Sequence, residues 1–385
     1  MKVLYLGTDL FMKGGIQRYS RYQIDALRRT YGADSVRVLG LSGPGADAFE
    51  EPLETTWIAG GVGIRERLRY AVQALRVARR ERPDIVLAAH VSVSPLAVMA
   101  ARICGGRCVL NVYGLEMWSG LRPRDRVGLG RVHHLISDCH FTARFVNEEL
   151  GIAQGATDVV WDCVDLDRFT PGAPDDDVVK RYGLELDPGE LRIMTLGRVS
   201  RVSRHKGYER MIEVVAGLGD RVRLRYVVAG TGDFVDSLRQ LARDRGVDEK
   251  VTFTGSIHER DLVEIYRSSD IFALVSDRGR GRGEGIPLTP LEAAACGVPI
   301  LVGNHDGSQE AVVDGENGYV LDPFDLDGIA DRITRLHDRP ELRREMGLAA
   351  RRRAEDEHSL ATFRARTARA LERALVDSAG DSDVR

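Results

Sequence analysis

The chain has 385 residues, a length that predicts two domains at about 100–200 residues per domain. Hydrophobic residues make up 43% and charged residues 29%, which is typical of a globular protein and too apolar for a disordered one. Lys and Arg number 55 against 58 Asp and Glu, a net charge of −3, which argues against a nucleic-acid partner held by phosphate contacts. The five scattered cysteines favour reduced thiols over a disulfide framework or a metal site.

Neither secretion nor membrane spanning is indicated by the apolar segments. The most apolar stretch, 85–101, is interrupted by His90 and Pro95 and is shorter than the ~20 residues of a spanning helix. The N-terminus has a short apolar core that ends at Asp9, unlike a signal peptide. We therefore expect a cytoplasmic protein.

Short apolar runs of β-prone residues alternate with helical patterns along the whole chain. In the first half the predicted strands are Val3–Gly7, Val36–Leu41, Ile85–Ala89, Cys108–Tyr113, Leu135–Ser137 and Val159–Val164. In the second half they are Ile193–Gly197, Leu224–Gly230, Val251–Gly255, Ile271–Val275, Pro299–Val302 and Tyr319–Leu321. Apolar strands joined by helices predict α/β domains with parallel sheets covered on both faces.

A domain boundary is predicted at residues 165–190, where three prolines, three glycines and an acidic run interrupt the alternation. We expect one domain over residues 1–170 and a second over 186–360. Asp175 to Asp177 are expected to form a solvated turn. Residues 361–376 have a helical pattern, and 377–385 are expected to be a disordered tail.

The segment after the strand Ile271–Val275 carries the strongest chemical signal. Glu284 and Glu292 are separated by seven residues. Residues 284–288 are expected to be loop, followed by a helix with Thr289 as N-cap, Pro290 first and Glu292 third. Loop amides and a helix dipole suit phosphates, and the carboxylates suit sugar hydroxyls. One alternative stays open, in which Glu292 only completes a capping box.

This segment, EGIPLTPLEAAACGVP, resembles the E-x7-E signature of retaining glycosyltransferases of family 4, which have the GT-B fold. Further matching motifs follow in family order: GGIQRYSRYQIDAL, LGRVSRVSRHKG, VVAGTGDF, VTFTGSIHERDLVEIYRSSDIFALVS and DGSQEAVVDGENGYVLD. The resemblance spans the whole chain. It implies an α/β protein with two Rossmann-like parallel-sheet domains facing across a cleft. The first would bind the acceptor, the second the nucleotide sugar, and helix 361–376 would return to the first domain.

The resemblance also implies roles for residues of the donor site. Arg198 and Lys206 would bind the diphosphate, and Glu284 would contact the transferred sugar. Glu292 would bind the ribose, and the base would lie near Ile257. The loop residues expected to bind sugar and phosphate are Gly285, Ile286, Pro287 and Leu288, with Gly15 and Gly14 at the start of the first helix.

The acceptor is expected to contact first-domain loops that include Asp9, Tyr113, Glu116 and Trp118. Tyr113 occupies the place where many family members have a histidine. With an ordinary pKa near ~10, a tyrosine is a poor base at neutral pH. This favours a scheme in which the leaving diphosphate takes the acceptor proton. The acceptor itself is left open as a small molecule or a lipid-linked sugar.

The predicted function is therefore a retaining glycosyltransferase that uses a UDP- or GDP-linked sugar, with UDP slightly favoured. No metal is expected, because no Asp-x-Asp stands in a suitable loop, and no cofactor is expected, since UDP or GDP would be a product. The alternatives are another GT-B chemistry, such as sugar-nucleotide epimerisation, and an oxidoreductase. The second lacks a Gly-x-Gly-x-x-Gly after the first strand.

An amphipathic segment, Ile64–Arg82, carries seven arginines. A solvated surface helix is the favoured interpretation. The alternative is a helix that lies on an anionic membrane, which would make the protein peripheral to the inner membrane face.

Overall fold

The computed structural model describes residues 1–118, 120–185, 187–279 and 283–376. The chain divides into two compact units. Of the described residues, unit 1 contains Met1–Cys163 and helix 360–376, and unit 2 contains those within Val164–Ser359. The predicted tail 377–385 lies outside the described residues.

Unit 1 is built on a seven-stranded sheet with the order β3-β2-β1-β4-β5-β6-β7. All of its strand pairs are parallel, from Val3 opposite Val36 to Ser137 opposite Val159. Leu4 and Leu6 pack on one face of the sheet, and Val3 and Tyr5 on the other, as the two-residue period of a strand requires. The strands are β1 (Val3–Gly7), β2 (Val36–Gly40), β3 (Trp57–Ile58), β4 (Ile85–Ala88), β5 (Arg107–Val112), β6 (His134–Ser137) and β7 (Thr157–Val159).

Helices cover both faces of this sheet. They are α1 (Gly15–Tyr31), α2 (Ile64–Glu81), α3 (Ser94–Cys104), α4 (Leu115–Trp118), α5 (Pro123–Leu129), α6 (His140–Leu150) and the last helix, α14 (Leu360–Val376). Helix α14 packs against α1, where the rings of Phe363 and Tyr19 meet edge to face at 5.0 Å. Arg373 forms an ion pair of 2.5 Å with Asp158. The C-terminal helix is thus part of unit 1.

Unit 2 repeats the architecture with a six-stranded parallel sheet of order β10-β9-β8-β11-β12-β13. The strands are β8 (Leu191–Leu196), β9 (Leu224–Ala229), β10 (Val251–Gly255), β11 (Ile271–Leu274), β12 (Ile300–Gly303) and β13 (Gly318–Leu321). The helices are α7 (Asp176–Arg181), α8 (Tyr208–Leu218), α9 (Val235–Asp244), α10 (Leu262–Arg267), α11 (Leu288–Ala295), α12 (Leu326–Asp338) and α13 (Pro340–Glu357). The predicted α/β class with parallel sheets is confirmed.

The structure places some boundaries differently from the sequence prediction. Residues 165–190 belong to unit 2, since Arg168 pairs with Glu259 at 3.0 Å and Arg181 with Asp261 at 2.8 Å. Asp175 caps α7 through its carboxylate. Strand β7 ends at Val159, where the predicted strand begins, and the two-residue β3 was not predicted.

Candidate functional site

In each sheet the strand order reverses at one point, between β1 and β4 in unit 1 and between β8 and β11 in unit 2. Ligands of open parallel sheets bind at such points, outside the carboxyl ends of the strands. The loops after β8 and β11 carry Lys206 and Glu284, and the loops after β1 and β4 carry Asp9 and His90. Each unit therefore has a candidate site at its switch point.

In unit 2, a carboxylate and two basic side chains come together. Lys206 Nζ donates a 2.6 Å hydrogen bond to Glu284 Oε1, and His205 Nε2 lies 2.8 Å from the same oxygen. Both basic residues belong to the 3-10 helix Arg201–Lys206 after β8. Gly207 follows with φ +85°, and a Cβ there would lie 2.3 Å from Val275 O. Only glycine allows the loop after β8 to approach β11 this closely.

The surroundings of Glu284 keep its carboxylate charged. Burial by itself would raise the pKa of Glu284, but the charge of Lys206 and the hydrogen bond from His205 lower it to about 2. The side chain is 17% exposed, so the carboxylate is held in position yet open to a ligand. An ionised carboxylate accepts several hydrogen bonds, which suits the hydroxyls of a sugar.

Asp306 fixes the backbone on which Glu284 stands. Its Oδ2 accepts a 2.9 Å hydrogen bond from Glu284 N, and Gly307 N donates a 2.9 Å bond to Glu284 O. The other carboxylate oxygen accepts bonds from the amide and hydroxyl of Ser308. Burial raises the pKa of Asp306. The loop after β12 thus holds the loop after β11.

A second ion pair fixes the loop that carries His205. Arg210 on α8 pairs with Asp277 at 2.6 Å and donates a 3.1 Å bond to His205 O. The amide of Asp277 also donates a 2.9 Å bond to His205 O. His205, Arg210, Asp277 and Asp306 were all missed in the sequence analysis. Only the position of His205 beside Lys206 could have pointed to a role.

The helix that carries Glu292 begins two residues earlier than predicted. Helix α11 starts at Leu288 and has Pro287 as N-cap, without a side-chain cap. The capping box with Thr289 as N-cap is therefore wrong. Glu292 is instead 6% exposed, and its Oε2 accepts a 2.6 Å hydrogen bond from the Tyr266 hydroxyl of α10.

The loop residues before α11 provide amides close to Glu284. The first N–H groups of a helix have no partner within the helix, and Leu288 is the first residue of α11. Gly285 and Ile286 lie just before it, with Ile286 buried. Pro287 has no N–H, so the predicted amide contacts reduce to the other three residues.

A cavity of about 440 Å³ lies at the loops after β8 and β9 of unit 2, and the Lys206 side chain comes close to Gly197, one of its lining residues. Arg198 and Ile257, predicted to bind the diphosphate and the base, both line it. Gly230 lines it as well and has φ +138°, and a Cβ there would lie 2.0 Å from Gly197 O. The glycine lets the loops after β8 and β9 meet at the cavity.

The switch point of unit 1 has a larger cavity of about 640 Å³. Asp9 and Glu116, predicted to contact the acceptor, both line it. Asp9 accepts a 2.7 Å hydrogen bond from the Ser42 hydroxyl. Glu116 Oε1 accepts a 2.6 Å bond from Tyr113 N, and its buried Oε2 has no hydrogen-bond partner within the described part of the chain. Burial raises the pKa of Glu116, against the opposing effect of His90.

Tyr113 and Trp118 do not line this cavity. Tyr113 is 6% exposed and packs edge to face against Tyr19 at 5.2 Å. Trp118 packs edge to face against Phe141 at 5.7 Å. Both side chains belong to the core, and the amide of Tyr113 bonds Glu116, which lines the cavity. A contact of either residue with the acceptor stays a prediction. Burial also raises the pKa of Tyr113 well above the ordinary value.

Gly14 and Gly15 lie at the start of α1 as predicted, with Gly14 as N-cap. A Cβ at Gly14 would lie 2.3 Å from Gln17 Oε1, the end of a flexible side chain. A Cβ at Gly15 would meet no atom of the described chain within 4 Å. Packing therefore does not explain the glycine at position 15.

Helix α2 exposes an unusual amount of apolar surface. Ile64, Leu68 and Val72 are 81%, 63% and 55% exposed, and their spacing of four places them along one side of the helix. The flanking arginines are exposed too: Arg65, Arg69, Arg76, Arg79 and Arg80. We call these eight residues the α2 face.

The described residues contain no group of three or more His, Cys, Asp or Glu side chains that could hold a metal ion. Nor do they contain a helix both long and apolar enough to span a bilayer.

Comparison with known proteins agrees with this geometry. A model of group 1 glycosyl transferases matches residues 193–353, and one of glycosyltransferase family 4 matches residues 13–168. A GDP-mannose-dependent alpha-(1-6)-phosphatidylinositol monomannoside mannosyltransferase of Mycolicibacterium smegmatis is 30% identical over 378 residues, 93% of this chain and 95% of the relative. The chain belongs to glycosyltransferase family 4.

Other relatives and solved structures agree with this assignment. A D-inositol 3-phosphate glycosyltransferase of Mycobacterium sp. strain JLS is 36% identical over 211 residues, 54% of this chain and 43% of the relative. A crystal structure of Anabaena HepE in complex with UDP-glucose has a TM-score of 0.76 at 18% identity, over 97% of this chain and 99% of that one. The GT-B fold and a glycosyltransferase activity are thereby established, and nothing supports the epimerase or oxidoreductase alternatives.

Proposed function

We propose that this family 4 enzyme transfers mannose from GDP-mannose to a hydroxyl of an inositol-containing acceptor, with retention of anomeric configuration and without a metal ion. The observation that carries the proposal is the cluster of His205, Lys206 and Glu284 at the switch point of unit 2, next to the cavity lined by Arg198.

The donor site supplies what a nucleoside diphosphate sugar needs. Lys206 has three N–H donors, so it can bind Glu284 and a phosphate oxygen at the same time. Arg198 adds a second cation. Fixed cations stabilise the negative charge that develops on a leaving diphosphate, which supports a reaction without a metal. Glu284 is left to accept hydrogen bonds from the sugar.

The choice of GDP-mannose follows from the relatives. The mannosyltransferase of Mycolicibacterium smegmatis matches this chain over almost its whole length and is named as GDP-mannose-dependent. That relationship now outweighs the slight preference for UDP in the sequence analysis. The structures with UDP or UDP-glucose are below 20% identical, so they support only the fold.

The acceptor is assigned to the cavity of unit 1, because Asp9 and Glu116 line it. The orphan Oε2 of Glu116 is suited to a hydroxyl donor, since a buried acceptor without a partner costs free energy until one binds. The relatives are named for phosphatidylinositol monomannoside and D-inositol 3-phosphate, which supports an inositol-containing acceptor, either a small molecule or a lipid.

We further propose that the enzyme is peripheral to an anionic membrane through the α2 face. Apolar side chains flanked by arginines are the composition of an interfacial helix. The exposure of Ile64, Leu68 and Val72 favours this over a purely solvated surface helix.

Calorimetry tests the donor assignment most directly. GDP, GDP-mannose, UDP and UDP-glucose are each titrated into the protein in excess EDTA. We expect GDP and GDP-mannose to bind at least about tenfold more tightly than the uridine nucleotides, a difference of about 1.4 kcal/mol. Binding of neither nucleotide class, or binding only after Mn²⁺ is added, would contradict the proposal. The anomeric configuration of the product is read by NMR.

A further inference from the structure

We propose that the cavity of unit 1 binds an acceptor that carries a phosphate group, and that the guanidinium groups of Arg67 and Arg122 bind this phosphate. The inference rests on the proposed function, because it takes this cavity as the acceptor site. It assigns two residues that neither the family resemblance nor the sequence analysis singled out.

Three arginines line the cavity: Arg67, Arg122 and Arg124. Arg124 Nε lies 3.3 Å from the carboxylate of Asp125, which also lines the cavity. Arg67 and Arg122 form no ion pair with any described residue. Their positive charge is not balanced by a paired carboxylate. Two such guanidinium groups at one concave site attract an anion.

The two predicted acceptor carboxylates and the two arginines without an ion pair reach the cavity from different parts of the unit, whereas Asp125 is paired with Arg124 on α5. Asp9 follows β1, and Glu116 stands on the short helix after β5, so both lie at the edge of the sheet. Arg67 belongs to α2, and Arg122 is the N-cap of α5, so both come from the helical layer. A polyol phosphate matches this arrangement, with hydroxyls at the carboxylates and the phosphate at the arginines.

Contacts within unit 1 restrain both arginines. Arg67 Nε donates a 2.7 Å hydrogen bond to Val62 O, so its two terminal nitrogens remain available to a ligand. Arg122 lies directly before Pro123, the first residue of α5. Helix α5 itself packs closely against the start of α3, because a Cβ on Gly128 would be 2.3 Å from Ser94 Oγ. Arginine is the side chain best suited to bidentate contacts with phosphate oxygens.

Besides the arginines, other features of the cavity are compatible with a bound anion. His90 Nδ1 lies 2.9 Å from Ser92 Oγ and accepts a bond from Ser92 N. Pro95 and Leu96, in the first turn of α3, also line the cavity. The start of that helix adds the positive end of its dipole to the two guanidinium charges. The volume of about 640 Å³ is that of a small-molecule site.

The experiment compares matched ligands and matched variants by calorimetry, with GDP present at saturation. The ligands are myo-inositol 1-phosphate, myo-inositol and inorganic phosphate. The variants are Arg67→Gln, Arg122→Gln and, as the control, Arg126→Gln, an exposed arginine of α5 outside the cavity. A separate GDP titration of each variant checks the donor site and the fold.

We expect wild-type protein to bind inositol phosphate at least about tenfold more tightly than inositol. Arg67→Gln and Arg122→Gln should each weaken inositol phosphate by roughly tenfold, the effect of losing one charge-assisted hydrogen bond, and leave inositol unchanged. Arg126→Gln should stay within about twofold of wild type. Equal affinity for inositol and inositol phosphate, binding of neither, or equal effects of Arg122→Gln and Arg126→Gln would overturn the proposal.

A lipid headgroup and a soluble phosphate ester are distinguished by a competition arm. Vesicles of phosphatidylcholine, with or without phosphatidylinositol, are added to the inositol phosphate titration. If only vesicles with phosphatidylinositol compete with inositol phosphate, and only when Arg122 is present, the acceptor is a lipid. If no vesicles compete, the acceptor is soluble. Either result fits the proposal. Failure of the proposed function reads differently: GDP-mannose is then not bound, while the affinity for inositol phosphate still depends on Arg122.

Discussion

The hydroxyl of Tyr266 donates a 2.6 Å hydrogen bond to Glu292 Oε2 and so joins α10 to α11 inside unit 2. Tyr266 is fully buried and Glu292 is 6% exposed. Because the buried phenol of Tyr266 bonds it, the carboxylate of Glu292 keeps one orientation. Helix α11, which carries Glu292, starts beside the loop that carries Glu284. Tyr266 is therefore a positioning residue for the proposed ribose contact.

Replacing this phenol tests that role. We expect Tyr266→Phe to lower GDP affinity by roughly three- to tenfold, and to lower the free energy of unfolding by about 1 kcal/mol, since it removes one hydrogen bond. Calorimetry and denaturant unfolding measure the two effects. The control is Tyr226→Phe, which removes a buried 2.9 Å bond to Thr195 in the same unit. It should lose stability but keep GDP affinity, and a similar loss of affinity in both variants would remove Tyr266 from the site.

Removal of either proposed diphosphate ligand should slow the reaction. We expect Lys206→Ala and Arg198→Ala each to reduce kcat by roughly 10²–10³-fold, the range for loss of one group that stabilises developing charge. Arg204→Ala is the control from the same loop, because Arg204 is exposed and pairs with Glu209. Steady-state kinetics with GDP-mannose measure the change. Near-normal turnover of Lys206→Ala would contradict the assignment.

The lowered pKa of Glu284 predicts a pH dependence of stability. The folded protein holds this pKa at about 2, below its ordinary value of 4.5. The resulting stabilisation is complete above pH ~5 and is lost as the pH falls toward ~2, because protonation then favours the unfolded chain. The difference in free energy of unfolding between wild type and Glu284→Gln should shrink over this range. A difference that stays constant would show that the carboxylate is not stabilised as an ion.

Gly15 offers a test in which stability and activity move apart. Alanine fits there without contact and is the better helix former, so Gly15→Ala should keep or slightly raise the melting temperature. If a substrate approaches this position closely, kcat/KM should still fall at least about tenfold. Gly217→Ala, in α8 with equally open space, should gain stability and keep activity. Unchanged activity of Gly15→Ala would leave the glycine with no role in the site.

The α2 face is tested by sedimentation with vesicles. Wild-type protein should sediment with phosphatidylglycerol vesicles and not with phosphatidylcholine alone, because basic residues contribute about 1 kcal/mol each near an anionic surface. A variant with Arg65, Arg69 and Arg76 changed to Glu should lose this binding. The control changes three exposed arginines of unit 2, Arg223, Arg335 and Arg344, to Glu, and so alters net charge equally. Equal loss in both variants would argue against a specific surface.

Much of the fold could be predicted from the sequence, because each parallel strand is a short apolar run. The predicted start of α11 lies two residues too late. Thr289 and Pro290 have the composition of a helix start, but Pro287 takes the extended cap position with φ −77° and ψ 143°. The strand β3 is too short, at two residues, to give a local signal.

The candidate site was predicted where its residues carry a local motif and missed where long-range contacts build it. Glu284 and Lys206 stand in recognisable segments. The bond from His205 to Glu284 spans 79 residues, and that from Glu284 to Asp306 spans 22. No local pattern reports such contacts. The place of Tyr113 in the sequence does not reveal that its ring packs against Tyr19 in the core, and its contact with an acceptor stays a prediction.

The division of unit 1 into two separate stretches of chain has a consequence for synthesis on the ribosome. Tyr19, made early, is buried against Phe363, which is added only after all of unit 2 has been translated. Buried Ala370 and Leu371 of α14 arrive later still. Until then the nascent α1 presents an uncovered apolar side, a surface of the kind that chaperones bind. The unit that is translated first is thus the last to complete its core.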